Sequence, residues 1–189
     1  KLNITISLKD NEKFYVERIN ILGNNYTIEE VIRNSLIVDE GDPYNEILFN
    51  RSVNNIKAKN IFSNVKTDII PGSSKGLKVI NLTVEEKPTG EISLGAGFGT
   101  SGGTIGGGIK ENNFLGKGIK LNSNLQVSDK SIKGQFIYEK PNFNYSDNSL
   151  FTSIRSTTTD NEKDFGYKTS DLGFSVVTSF EQFEILYFI

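Results

Sequence analysis

Lys117-Gly118-Ile119-Lys120-Leu121-Asn122-Ser123-Asn124-Leu125-Gln126-Val127-Ser128 is the stretch that decides the fold. Successive side chains of an extended strand point to opposite faces. Ile119, Leu121, Leu125 and Val127 therefore share one face, and Lys120, Asn122, Asn124 and Gln126 the other. A strand that is apolar on one side and lined by amides and ammonium groups on the other meets two different solvents. Repeated over several hairpins, that pattern marks a lipid-embedded barrel with a wet lumen.

The repetition is present on both sides of this stretch. Upstream, Ile92, Leu94, Ala96 and Phe98 alternate with Glu91, Ser93, Gly95 and Gly97. After a turn at Thr100–Gly103, Ile105, Gly107 and Ile109 alternate with Thr104, Gly106, Gly108 and Lys110, and Asn112–Gly116 turns the chain again. Downstream, Ile132, Phe136 and Tyr138 face outward against Lys133, Gln135 and Glu139, and Pro141–Asn144 form a turn. Leu150, Thr152 and Ile154 lead a fifth strand, and Thr158–Asp164 reads as a longer polar loop. Leu172, Phe174 and Val176 mark a sixth strand, and Phe183, Ile185 and Tyr187 begin a seventh that the sequence leaves unfinished. Strands of about 9–11 residues suit a tilted bilayer crossing. Residues 90–189 thus read as an incomplete antiparallel transmembrane β-barrel of about seven strands. A soluble sandwich, whose sheets also carry one apolar face, is the competing reading. Solubility of residues 90–189 without detergent separates the two.

The first part of the chain has a different rhythm. Leu2, Ile4, Ile6 and Leu8 alternate as a strand, and Phe14–Leu22 is a second. Thr27-Ile28-Glu29-Glu30 has the form of a capping box, in which side chains at both ends of the first turn satisfy backbone N–H groups. Ile28, Val31, Ile32, Ser35 and Leu36 follow at helical spacing, up to Gly41. Asp42-Pro43 offers a start for a second helix with Leu48, Phe49, Val53 and Ile56 inward. Val65–Ile70 and Leu77–Glu86 are strands on either side of Pro71–Ser74. The order β-α-α-β-β predicts an α+β domain over 11–89, preceded at 1–10 by the last strand of another domain. Pro88 marks the boundary, because a proline cannot continue a central strand.

Composition excludes several function classes. The 189 residues carry a net charge of −2, so there is no basic footprint for nucleic acid. No apolar run approaches the ~18 residues of a membrane helix. A hydrophobic fraction of 36% suffices for a barrel, where only alternate residues need be apolar. The absence of methionine, even at position 1, leads us to expect an excised piece of a longer protein. Zero histidine and zero cysteine remove Ser-His and Cys-His catalysis and most zinc sites. Gly97-Phe98-Gly99-Thr100-Ser101-Gly102 fits the dinucleotide fingerprint, but Thr104–Gly108 cannot supply the helix that fingerprint needs. Asp160, Glu162 and Asp164 have calcium-loop spacing, yet Phe165 stands where such a loop requires glycine. We expect no catalytic residue, no metal site and no cofactor.

Several segments, in order, resemble the BamA family of outer-membrane assembly factors. Phe14-Tyr15-Val16-Glu17-Arg18-Ile19, Ile21-Leu22-Gly23-Asn24 and Glu40-Gly41 are similar to the last POTRA domain of that family. Val84-Glu85-Glu86-Lys87 followed by Thr89-Gly90 resembles its join to the barrel. Gly95–Thr100, Asn112–Gly118 and Pro141-Asn142-Phe143 resemble the first barrel strands and turns.

The resemblance implies a protein that folds and inserts unfolded outer-membrane β-barrel proteins, without enzymatic activity or nucleotide, in contact with outer-membrane lipid. It implies that the strand after the second helix is a sheet edge able to bind a substrate strand at Val65, Lys66, Thr67, Asp68 and Ile69. It also implies a seam strand, Glu91, Ile92, Ser93, Leu94, Gly95, Ala96, Gly97 and Phe98, that captures an incoming strand by β-augmentation. An assembly lipoprotein such as BamD is the implied periplasmic partner. The family's Leu-Arg-Arg-Glu-type helix segment reads Ile32-Arg33-Asn34-Ser35 here, so Arg33 is matched while the acidic position is Ser35. The competing reading of Arg33 is a solvated helix-face arginine. A POTRA-barrel translocation pore, of the two-partner secretion or autotransporter assembly type, is the alternative function.

Overall fold

The computed structural model describes residues 13–99, 102–143 and 148–179. The strands expected at 1–8 and from 183 onward lie outside the described residues.

The N-terminal part runs β1 (Tyr15–Leu22), α1 (Glu29–Arg33), α2 (Glu46–Ala58), β2 (Phe62–Pro71) and β3 (Leu77–Glu86). Its three-stranded sheet has the order β1-β3-β2, with β3 parallel to β1 and antiparallel to β2. Central β3 buries Ile80, Leu82 and Val84 against Ile56 and Phe49 of α2 and Ile32 of α1. This is the β-α-α-β-β domain read from the sequence, with its core on one face of the sheet.

Both helix starts differ from expectation. α1 is a single turn whose N-cap is Ile28, with no side-chain cap; Thr27 is engaged elsewhere. Ser35 and Leu36 still face the core, from the turn that follows. α2 begins after Asn45 rather than Asp42, because the Asn45 side-chain oxygen accepts from Ile47 N at 2.9 Å and Leu48 N at 3.2 Å. Asp42 is used differently: its carbonyl accepts from Val16 N, so Asp42-Pro43 runs alongside β1.

The C-terminal part is one antiparallel sheet in sequential order: β4 (Gly90–Gly99), β5 (Gly102–Phe114), β6 (Ile119–Ser128), β7 (Ser131–Lys140), β8 (Ser149–Asn161) and β9 (Tyr167–Ser179). The polar loop expected at 158–164 is instead strand through Asn161, then a one-turn helix α3 (Glu162–Phe165). β-Branched Thr157, Thr158 and Thr159 favour the extended backbone and keep the β8–β9 ladder going. The acidic groups there meet lysines: Asp164 pairs with Lys130, and Asp160 with Lys168 at 3.8 Å.

The register carries each face across the whole sheet. One row joins Ile92, Ile109, Ser123, Phe136, Ile154 and Phe174; the next joins Leu94, Gly107, Leu125, Gly134, Ser156 and Leu172. On the opposite face, one row joins Ser93, Gly108, Asn124, Gln135, Arg155 and Gly173. Leu94 is 87% exposed and Phe98 95%. A single sheet with an exposed apolar face, a polar opposite face and no core of its own is the wall of a barrel, open at β4 and β9 among the described residues.

Candidate functional site

Among the described residues, four strands are sheet edges: β1 and β2 of the small sheet, β4 and β9 of the large one. An edge presents unpaired N–H and C=O groups and templates another strand unless it is covered. The four are not equivalent.

The β1 edge is covered. Val16 N donates to Asp42 O at 2.9 Å and Gly41 N to Val16 O at 2.7 Å. Further along, Ile19 N donates to Glu40 Oε1 at 2.9 Å, and Arg33 Nη2 donates to Ile19 O at 3.1 Å. Arg33 is held in place by Glu29 at 2.6 Å and Glu40 at 3.7 Å. Arg33 is therefore an edge plug, and it also lines a surface groove with Arg18, Asn20 and Asn81.

The β2 edge is open. Of the expected residues, Val65 is buried in the core, whereas Lys66, Thr67, Asp68 and Ile69 are exposed. Among the described residues all five pair with β3 on one side only, from Val65↔Val84 to Ile69↔Ile80.

β4 also has one partner, paired to β5 over its full length from Gly90↔Glu111 to Gly99↔Gly102. Its polar face bears Glu91, Ser93, Gly95 and Gly97. No atom lies within 4 Å of the space a Cβ would fill at Gly95 or Gly97. With Gly106 and Gly108 of β5 alongside, the wall here forms a trough of about 880 Å³, floored by glycine backbone and bordered by Lys110, Asn122, Asn124 and Gln126. The strand is held by its backbone ladder and little side-chain packing, the condition under which Gly weakens a strand.

The rim joins these edges. The β5–β6 turn docks on the start of α1: Ile28 N donates to Gly116 O at 2.9 Å, and Asn113 Nδ2 donates to Thr27 Oγ1 at 2.8 Å. Asn113 Oδ1 in turn accepts from Gly118 N at 2.8 Å. Thr27 and Asn113 are each 2% exposed, so these polar groups stay buried only because they satisfy each other. Gly116 has φ +69° and faces the Tyr26 carbonyl so closely that any side chain would collide with it. From the other side, the Glu86 carboxylate at the end of β3 accepts from Asn25 N at 3.1 Å, Tyr26 N at 3.0 Å and Thr27 N at 2.6 Å. Burial pushes the Glu86 carboxyl up, but the bonds from Thr27, Tyr26 and Asn25 outweigh it and hold the group below the usual carboxylate value.

The docked domain straddles the wall. Lys120, on the polar face, pairs with Glu139 at 2.8 Å and shares a small cavity with Lys59 and Ile61 from the end of α2. Burial, and then the Lys120 charge, push the Lys59 ammonium down. On the other face, Lys140 continues the outward row of Phe136 and Tyr138 and shares a cavity with Ile28 and Val31.

The family resemblance directed attention to the β2 and β4 edges, and the rim was missed. Thr27, Glu86 and Asn113 carry no periodic signal; Asn113 lay within a recognised turn and Thr27 within a capping pattern, each given a purely local role.

The fold and its open edges define a class: a POTRA domain carried on the wall of an outer-membrane β-barrel. Residues 14–87 match the POTRA family, described as surface antigen variable number repeat. The chain is 34% identical over 140 residues to a putative outer membrane protein assembly factor of Treponema pallidum, covering 70% of this chain and 17% of that protein. It is 28% identical over 144 residues to the outer membrane protein assembly factor BamA of Neisseria meningitidis serogroup B, covering 75% and 18%. The crystal structure of BamA from Haemophilus ducreyi lacking POTRA domains 1–3 superimposes with a TM-score of 0.76 at 25% identity, over 86% of this chain and 32% of that one. CdiB from Acinetobacter baumannii shares the fold at 18% identity and a TM-score of 0.58, over 87% and 33%. Residues 14–87 are a POTRA domain, and over that domain and the first barrel strands the chain is BamA-like: an outer-membrane protein with its POTRA domain in the periplasm. It spans less than a fifth of the length of the two curated relatives above.

Proposed function

We propose that the chain is the gate-bearing part of an assembly factor that folds and inserts β-barrel proteins into the outer membrane, acting by strand templating rather than by enzymatic chemistry. The division that serves this is a POTRA domain over 11–89 and barrel wall over 90–189, with 1–10 belonging to a preceding domain. One observation carries the reading: among the described residues β4 has a ladder partner on one side, and Gly95 and Gly97 leave open space on its polar face. Such a strand separates from a neighbour cheaply and exposes eight residues, Glu91–Phe98, for β-augmentation by an unfolded substrate strand.

The open β2 edge, Val65–Ile69, is a second templating site on the periplasmic side. Covering of the β1 edge by Glu40 and Arg33 favours β2 as the free edge of the pair. A lipoprotein of the BamD kind would meet Arg33 from outside its contacts with Glu29 and Glu40. A POTRA–barrel translocation pore has the same architecture; the higher identity and TM-score to BamA favour the assembly role.

The experiment is crosslinking of an incoming barrel strand to the intact parent protein carrying a photoreactive residue at Ser93 or Gly95. Substrate adducts above those at Lys133, four strands into the wall from the seam side, are expected. Adducts no higher than at Lys133 overturn the reading.

A further inference from the structure

The outward face of the rim holds a cavity of mixed charged and apolar lining that strand templating does not use. It has a volume of about 350 Å³ and lies between α1 and the β5–β6 and β7–β8 turns. Lys117 and Lys140 line it together with Glu30, Ile28 and Phe143. The Lys140 ammonium lies 5.7 Å from the Phe143 ring centroid, within cation–π reach.

Its position is decided by register. Lys140 pairs with Leu150, on the same face as Tyr138, Phe136 and Ile132, the face that meets hydrocarbon. Apolar side chains on the segments that lead into Ile28 and Lys117 stay exposed: Tyr26 59%, Leu115 58% and Phe114 40%. Aromatic and aliphatic groups beside lysines, at the end of a lipid-facing wall, are the composition of a membrane interface. Two ammonium groups at that depth meet lipid phosphate, and basic pockets at such rims take headgroups.

We propose that this cavity binds the headgroup of a phospholipid of the periplasmic leaflet, with its phosphate between Lys117 and Lys140. Glu30, an acid beside two bases, fits the ammonium of an ethanolamine headgroup, so phosphatidylethanolamine is the occupant. The exposed Ile28 at the start of α1 and the adjoining rim then become a lipid contact, and the POTRA domain is held to the membrane surface as well as to the barrel turn. The proposal rests on the barrel wall and not on the templating role, so either can fail alone.

The test uses the intact parent protein in nanodiscs of phosphatidylethanolamine and phosphatidylglycerol, with a photoreactive residue at Asn34, which lines the same cavity. Adducts are identified by mass spectrometry. A phosphatidylethanolamine adduct is expected to dominate, and Lys117→Gln with Lys140→Gln to reduce it at least about tenfold. Lys57→Gln, in the last turn of α2, serves as the control and is expected to leave it unchanged. Glu30→Gln is expected to abolish the preference over phosphatidylglycerol. Unchanged circular dichroism keeps the variants comparable, and a single Lys140→Gln serves if the pair does not fold. An adduct insensitive to the lysines, an absent adduct, or one suppressed by inorganic phosphate alone overturns the proposal.

Discussion

Both sheets of this chain alternate apolar and polar side chains, yet they solve opposite problems. In the small sheet, Ile80, Leu82 and Val84 turn inward beneath two helices and lose essentially all contact with solvent. In the large sheet, Ile92, Leu94, Phe98, Leu172 and Phe174 turn outward and keep at least two thirds of their surface. Ile119 is the large sheet's one buried apolar residue among those described, and it lies at the rim under the POTRA domain. Alternation therefore reports that two faces meet different media; what covers the apolar face is a separate question. A protein medium needs helices and a core, and a lipid medium needs only length and curvature.

Substitutions can break or sharpen that contrast. Leu82→Ala removes a fully buried side chain and is expected to cost about 2–5 kcal/mol, read by urea unfolding of the POTRA domain within the intact protein. Leu94→Ala, at an exposed position of equal chemistry, is expected to leave that unfolding unchanged. Charge sharpens the same point in the wall. Leu94→Arg, near the middle of β4, is expected to cost about 2–4 kcal/mol of folding into bilayers, whereas Gln126→Arg on the polar face is expected to cost about zero. Equal costs would mean that the two faces meet the same medium.

The joint between the sheets gives a smaller effect. Glu86→Gln keeps the shape but weakens the bonds from Asn25, Tyr26 and Thr27, for a loss of about 1 kcal/mol at this partly exposed site. Because the folded-state value is held down, the stabilisation is complete above the ordinary carboxylate value of 4.5 and fades as pH falls through the lower folded value. Hydrogen exchange of the Tyr26 and Thr27 amides against pH checks this; a Glu86→Gln profile with the wild-type acid slope would contradict it. The smallest effect belongs to Asn45→Ala, which removes the α2 cap at about 1 kcal/mol and leaves the wall untouched, as a melting curve of the domain will show.

Much of this was legible because strands announce themselves locally. β3 and the alternation of β4 to β7 followed from period alone, since one residue's face fixes the next. The expected helix over 27–41 shrank to the five residues of α1, because packing of Val31, Ile32 and Val38 onto the sheet does not require a continuous helix. The expected loop at 158–164 became strand because the neighbouring β9 offered a ladder, which no local window contains. Arg33 read as a helix-face arginine or a partner contact, and the fold made it a cover for the β1 edge.

The order of side chains along the chain was enough to separate the two faces of each strand and to place most of the turns of the wall. Partners far apart in number were settled only once the chain had folded: Thr27 with Asn113, Glu86 with the 25–27 backbone, Glu40 and Arg33 with Ile19. The reason is physical. Face and turn are properties of neighbouring dihedrals, whereas a buried hydrogen bond exists only when two distant segments are brought together and water is excluded from between them.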